Sequence, residues 1–449
     1  MPLAFHKNNS GHTRVFPRHV RWMMALYGGA WWFITPFLML VFKILGQKDP
    51  AWLEFTGHHT TDRPDGTVIW IHGASLGELR SALPLMRHLK AYNPNIHLLI
   101  TGCNSPAVRT IGPHVPKGSF VFLWPLDAPL FVKRFLDHWK PHTVCFLECE
   151  LWPCLLDTLN KKHIPFFNIN FFTDAKSIAY YRMLGSFFPS LLSRSSGIWM
   201  SCADSVYQSG VRNGLIRSPL MPSLKYGFTP FSKQKSCVLP DLSQRIFWLV
   251  SCTTQDEEAL IFNTHKQLQQ RYPHLLLIWA LRHPASPAFL RLLNHSGQIY
   301  SFRSKKPEMD KTCTIYLVDT LGELDAFYSQ APFVIMGNSF TKKGEGHNVL
   351  EPIAQGCLPI VGPFMPVNQH VVDDFLSVGA IVQTQALALT GVVDGFLQDP
   401  MRARQMVQNG MAKLSEKKAE LQSFLDQLMP EICPPSPYHA SLKTPETIG

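Results

Sequence analysis

Five apolar runs, each long enough for one buried strand and no more, punctuate the first half of the chain. They are GTVIWIHG (66–73), NIHLLITG (95–102), SFVFLWPL (119–126), HTVCFLEC (142–149) and IPFFNINF (164–171). Runs so short and so uniformly apolar read as strands buried on both faces. Between or after them, LGELRSALPLMRHLKAY, APLFVKRFLDHWK and MLGSFFPSLLSR read as amphipathic helices. Helix-length connections force parallel pairing and cover the sheet on both faces. RSSGIWMSCADSVYQSGVRNG supplies one further strand and helix.

The pattern breaks at 216–244, which is rich in Pro, Ser and Lys and reads as an inter-domain linker. A second series follows in RIFWLVSC, HLLLIWAL, TIYLVD, FVIMGNSF and LPIVGP. The expected architecture is two Rossmann-like parallel-sheet α/β domains facing a cleft, with ligands at the C-terminal ends of the strands. The expected bounds are a basic arm and membrane anchor at 1–48, a first domain at 49–222, a linker at 223–244 and a second domain at 245–400. Helices at 401–429 are expected to pack back on the first domain, and 430–449 to form a disordered tail. A length of 449 residues suits two such domains.

The net charge of +10 is compatible with nucleic acid, an anionic membrane face or a phosphorylated ligand. No arginine-rich tract or helix-turn-helix pattern supports nucleic acid. The ten cysteines are scattered without a C-x-x-C pair, and the closest are Cys145, Cys149 and Cys154. They read as small buried hydrophobes in a reducing compartment, not as metal ligands.

Trp22 to Phe42 carries no charged residue, with Arg14, Arg18 and Arg21 before it and Lys43 after it. Its length is about that of a bilayer core. It is too long for a signal peptide, and no small-x-small cleavage site follows it. Pro36 and the Gly28-Gly29 pair weaken a straight helix, while Tyr27, Trp31 and Trp32 are interface anchors. Two readings stand: a single span, or a helix lying in the leaflet. The positive-inside rule would send the body outside in a full span, so an anchor that leaves the body cytoplasmic is the expected arrangement.

Glu78 falls in the first turn of a helix, where it can cap or act as a base. FLECELWP (146–153) puts Glu148 and Glu150 at a strand's C-terminal end, where carboxylates face a cleft or cap the next helix. WALRHP (279–284) ends a strand with Arg282 and His283, and arginine's planar fork suits a phosphate. VDTLGELDAFY (318–328) offers Asp319 and Thr320 as caps and Gly322 for close approach. GNSFTKKGEGHNVLEP (337–352) offers Gly344 and Gly346, then His347, Asn348 and Glu351 at a helix start. Together with Arg282 these point to a nucleotide. The Gly73-x-x-x-Gly77 turn is not a dinucleotide fingerprint.

WIHGASLGE, RFLDHWKP, ECELWP, SLKYGF, LRHP, VDTLGELDAFY and GEGHNVLEP occur in the order and at about the spacing of the Kdo transferases, which the chain resembles over roughly residues 15–425. These are membrane-associated glycosyltransferases of the GT-B fold. They move 3-deoxy-D-manno-oct-2-ulosonic acid (Kdo) from CMP-Kdo to the lipid A precursor in Gram-negative lipopolysaccharide synthesis. The resemblance implies an inverting, metal-independent reaction with no cofactor, at the cytoplasmic side of the inner membrane.

The resemblance makes Glu78 the general base, with Glu148 and Glu150 supporting the acceptor or the catalytic geometry and Lys225 neutralising the leaving phosphate. Ser75 and Gly77 fall on the acceptor side. Arg282, His283, Asp319, Thr320, Gly322, Glu323, Ser339, Gly346, His347, Asn348, Glu351 and Asn368 fall around CMP-Kdo. A helix N-terminus lowers the pKa of Glu78 and burial raises it, so its strength as a base is open at this point.

The chain departs from the family where Asn-Ala-Arg becomes Asn168-Ile169-Asn170, with Lys176 one register away as a substitute. Ser-Thr-His becomes Cys252-Thr253-Thr254, and Gly-Asn-Leu-Lys becomes Pro222-Ser223-Leu224-Lys225. The turn after the second strand reads TGCNSPAV. A re-specialised or inactive relative that binds a nucleotide or lipid without Kdo transfer is the alternative. A nucleotide-sugar epimerase or another GT-B enzyme leaves the apolar N-terminus unexplained.

Overall fold

A computed structural model of the chain describes residues 17–148, 150–171, 185–201, 220–227, 239–240, 242 and 244–434. The chain forms two compact units, one of Met1–Phe228 with Glu420–Gly449 and the other of Thr229–Ala419.

In the first unit, β1 (Val68–His72), β2 (His97–Gly102), β3 (Phe120–Leu123), β4 (Thr143–Leu147), β5 (Phe166–Phe171) and β6 (Gly197–Met200) form one sheet. Its order is β3-β2-β1-β4-β5-β6, and its pairs are parallel. Every residue of β1, β4 and β5 is buried, as helices on both faces require. Trp70, fully buried on β1, satisfies its indole N–H on Thr101 Oγ1 of β2 at 2.8 Å. The order reverses between β1 and β4, so the loops after these strands diverge and leave a crevice at their C-terminal ends.

In the second unit, β7 (Phe247–Thr253), β8 (Leu276–Leu281), β9 (Tyr300–Phe302), β10 (Ile315–Val318), β11 (Phe333–Met336), β12 (Leu358–Val361) and β13 (Val382–Gln383) form the other sheet. Its order is β13-β12-β11-β7-β8-β10-β9, again parallel, with the reversal between β7 and β11. Trp248 and Trp279 are fully buried, and Trp279 donates to Thr253 Oγ1 at 2.7 Å. The expectation of two parallel-sheet α/β domains is met.

Several local expectations change. LGELRSALPLMRHLKAY is two helices, Leu76–Ser81 and Leu83–Tyr92, because Pro84 starts a new helix instead of continuing the old one. The edge strands β9 and β13 carry no apolar run, being short and only partly buried. The final helix, Pro400–Ile432, runs past Pro430, since Leu428, Met429, Ile432 and Cys433 are all buried. This end of the chain packs within the first unit, where Asn93 Nδ2 donates to the Pro434 carbonyl at 3.0 Å. The described cysteines are free thiols. Cys149, Lys176, the helix expected within 202–215 and the tail from 435 lie outside the described residues.

The N-terminal apolar segment is one helix, Arg18–Gly46, unbroken by Pro36. It is long and apolar enough to cross a membrane by length and composition alone. Docking on both sides of the proline holds it helical. Tyr27 Oη donates to Asp127 Oδ2 at 3.0 Å, and the Phe42 ring stacks on Trp52 and Phe55. Asp127 in turn accepts the Cys154 and Leu155 amides at the start of helix Pro153–Lys161. The opposite face leaves Trp22, Leu26, Trp32, Phe33, Phe37 and Leu40 exposed.

Candidate active site

In the first unit the loops after β1 and β4 bring three acids together. Ser75 caps helix Leu76–Ser81 by accepting the Glu78 amide at 3.2 Å. Glu78 reaches back, accepting the Ala74 amide at 2.7 Å and the Ser75 hydroxyl at 2.8 Å. This resembles a capping box, except that the carboxylate takes the amide of Ala74, the residue before the N-cap, and not that of Ser75 itself. The same carboxyl is nevertheless pushed up to about 7, by burial first and by the charge of Glu148 next. The bonds from Ser75 and Ala74 oppose the rise, and Glu150 adds to it. Burial therefore outweighs the helix terminus, and Glu78 is both a cap and a carboxylate poised near neutrality.

Glu148 follows β4 in the left-handed region, with φ 52°. Burial raises its pKa, Lys225 lowers it and Glu150 raises it. Lys225 is pushed down by burial and held up by Glu148 and Glu78. The Lys225 turn, Leu224–Gly227, is pinned from β5, where Asn170 Oδ1 accepts the Leu224 amide at 2.9 Å. Gly227 permits that placement, because a Cβ there would stand 2.3 Å from Pro84. Glu150 is buried, accepts the Trp152 indole N–H, and lies 3.7 Å from His72 Nε2. His72 is fully buried, bonds Thr101 Oγ1 at 2.8 Å and stacks on Trp124.

In the second unit Arg282 and His283 are exposed just after β8. His347 and Asn348 precede helix Leu350–Ala354, and only Glu351 lies in its first turn. The His347 imidazole is pushed down to about 4, by burial first and then by Arg282, against a bond to the Cys252 backbone. Among the described residues its Nε2 has no hydrogen-bond partner, so the backbone bond is made by Nδ1. That leaves Nε2 as an acceptor on a neutral ring. Gly346, with φ 70°, lies against Met365, whose sulfur would be 2.2 Å from an added Cβ.

Other predicted residues have their polar groups engaged within the protein. Asp319 accepts the Ser304 amide and hydroxyl and does not cap a helix. Glu323 takes both Arg303 Nε and Nη2, at 3.2 and 3.0 Å, and the Thr320 hydroxyl. Ser339, fully buried, donates to the Met336 carbonyl and accepts the Gly362 amide. Asp319, Thr320 and Glu323 shape the loop that carries Gly322, with φ 84°, while Ser339 ties the ends of β11 and β12. Asn368 stands before helix Gln369–Leu376 and is buried. Sequence reasoning missed His72, Trp152 and Arg303. Arg303 follows the unforeseen strand β9, and no local pattern ties it to Glu323.

The family described as 3-deoxy-D-manno-octulosonic-acid transferase (kdotransferase) matches residues 51–208. A probable mitochondrial 3-deoxy-D-manno-octulosonic acid transferase of Arabidopsis thaliana is 32% identical over 367 residues, covering 78% of this chain and 81% of its own. The chain belongs to the 3-deoxy-D-manno-octulosonic acid transferase family. The Haemophilus influenzae transferase is 27% identical over 414 residues, covering 88% of this chain and 95% of that one. Among solved structures, the UDP-GlcNAc 2-epimerase of Neisseria meningitidis aligns with TM-score 0.55 at 10% identity, over 81% of this chain and 100% of that one. At that identity the likeness is one of fold, and it is the two-domain fold of GT-B enzymes.

Two predictions follow from this arrangement. Among the described residues a Cβ on Gly77 would meet only Ser75 Oγ, at 3.7 Å, so they do not demand glycine there. Gly77→Ala should keep or raise the melting temperature, as alanine favours a helix by up to about 1 kcal/mol. The family resemblance puts Gly77 on the acceptor side, and on that expectation the variant should nevertheless slow transfer; steady-state kinetics beside a thermal melt would separate the two effects. With Glu78 in the role of base that the resemblance implies, a carboxyl near 7 makes the rate fall as pH drops through 7. Glu148→Gln removes a charge that raises Glu78, so this acidic limb should move to lower pH. A pH–rate profile that keeps its limb in place would count against the coupling.

Proposed function

We propose that the chain transfers Kdo from CMP-Kdo to the lipid A precursor, with Glu78 as general base. The chain is a glycosyltransferase by family, and Kdo transfer in lipopolysaccharide synthesis is the activity that membership supports. The observation that carries the finer reading is the Glu78 carboxyl near neutrality, hydrogen-bonded on one side and pressed by Glu148 on the other. In this reading Glu78 takes the proton of an acceptor hydroxyl as its oxygen attacks the anomeric carbon of Kdo. The bond from that carbon to the phosphate oxygen breaks, CMP leaves with the electron pair, and the configuration inverts. Lys225 supplies positive charge to the acids and, by the family resemblance, to the leaving phosphate.

The donor is held in the second unit by Arg282, Asn348 and Glu351, with His347 Nε2 offering an acceptor. Asp319, Thr320, Glu323 and Ser339 act through the loops they fix. No metal or cofactor takes part. Helix Arg18–Gly46 anchors the enzyme at the cytoplasmic side of the inner membrane. Its bonds and stacking on the first unit, at Tyr27 and again at Phe42, favour a helix lying in the leaflet over a free span.

Incubation of the full-length protein with CMP-Kdo and the lipid A precursor tests the reading. The native protein should form product, unchanged by EDTA. Glu78→Gln should be slower by about 100-fold or more, the usual contribution of a general base. No product from the native protein would sink the transferase reading. Full activity in the variant would remove Glu78 as base, and loss of activity with EDTA would remove metal independence.

A further inference from the structure

The loops after β7 and β11 flank the reversal of strand order in the second sheet, where open α/β sheets receive ligands. A side chain already occupies part of that place. Glu257 is fully buried and accepts the amides of Thr254 at 3.1 Å, Asn338 at 2.6 Å, Ser339 at 3.0 Å and Phe340 at 2.9 Å. The Thr254 hydroxyl adds a fifth contact at 3.4 Å. Every one of these partners donates, so the group sits as an internal anion in a nest of backbone N–H groups. A capping box explains the Thr254 contacts alone. The contacts to 338–340 cross more than eighty residues of sequence and tie two strand ends together.

The constraint spreads from there. The Asn338 carbonyl accepts the Gly346 amide at 2.7 Å, and the Ser339 carbonyl accepts the Phe364 amide at 3.0 Å. On the β7 side, the Thr253 carbonyl accepts the Arg282 amide at 3.3 Å, and the Cys252 backbone holds His347. One carboxylate thus fixes the loop ends that carry Arg282, His347 and the Gly362-Pro363 turn.

We propose that Glu257 is a positioning residue for the nucleotide donor, filling with its own carboxylate the backbone anion nest at the strand reversal. The donor phosphate is then left to side chains such as Arg282, and the loops are preorganised before the nucleotide arrives. This rests on the reading that the second unit binds CMP-Kdo.

The test uses the full-length protein, CMP as a binding probe and the transfer assay. Glu257→Gln puts an amide N–H₂ against N–H donors. It should weaken CMP binding and raise KM for CMP-Kdo by about tenfold or more, the scale of one misplaced buried hydrogen bond. The kcat and the acceptor KM should stay within about twofold, because the base and acceptor residues are untouched. Glu257→Ala empties the nest, and added acetate should restore part of the CMP affinity, which a purely structural loss would not allow. If the alanine variant does not fold, Glu257→Asp takes its place, with a weaker form of the glutamine result expected. A folded glutamine variant that binds CMP like the native protein overturns the assignment, as does an equal loss in donor and acceptor KM. A native protein that neither binds CMP nor transfers Kdo overturns the donor reading itself, and Glu257 with it.

Discussion

Charge balance around Lys225 sets the chemistry of the first unit. One ammonium faces Glu148 and Glu78, and the charge of Glu150 presses on both acids. In a partly dry environment a unit charge without a close partner is expensive, and like charges a few ångströms apart repel strongly. Burial first, and the charge of Glu148 next, raise the proton affinity of Glu78, which comes to rest near 7. The hydrogen bonds from Ala74 and Ser75 pull the other way and keep it from rising further. A cap and a base are usually opposed roles for a carboxylate. Here the cap fixes the direction of the side chain, while burial and like charge set its proton affinity.

The geometry behind that balance is made at strand ends. Glu148, Asn170, Cys252 and Asn338 all adopt left-handed backbone at or near the C-terminal end of a strand. Each such residue costs about 1–2 kcal/mol relative to ordinary backbone. The other non-glycine examples, Lys140 and His163, follow the ends of helices, where left-handed residues are common. Strain at the ends of β4, β7 and β11 falls beside the two reversals of strand order, and that on β5 lies one strand further out. It turns the chain sharply where each sheet opens, which is where the candidate residues stand.

Local signals made much of this readable. Buried strands announce themselves as apolar runs, and Ser75-x-x-Glu78 is a capping pattern visible at three residues' separation. The edge strands were silent because so few of their residues need to be apolar. Contacts between distant residues were silent for a different reason. The pairs Asn170–Leu224, Arg303–Glu323 and His72–Glu150 depend on which strands become neighbours, and one sequence does not specify that. Glu257 shows both sides: its bond to Thr254 is a local pattern, and its bonds to 338–340 are not.

The departures from the family pattern gain meaning from the same contacts. Asn170 stands where the resemblance leads one to expect arginine, and the simplest inference is a lost ligand contact. Its side chain, however, accepts the Leu224 amide and so fixes the turn that carries Lys225. Arginine has donors only and could not make that bond. Asparagine also tolerates the left-handed backbone at this position, φ 57°, better than most residues. Thr254, where histidine is expected, gives its amide and its hydroxyl to Glu257. Neither change leaves a gap, since each residue holds a neighbour of the proposed machinery in place. A chain drifting free of its function would have no reason to keep Lys225 pinned and Glu78 poised. The departures therefore read as a re-tuned active enzyme more readily than as a degenerate one.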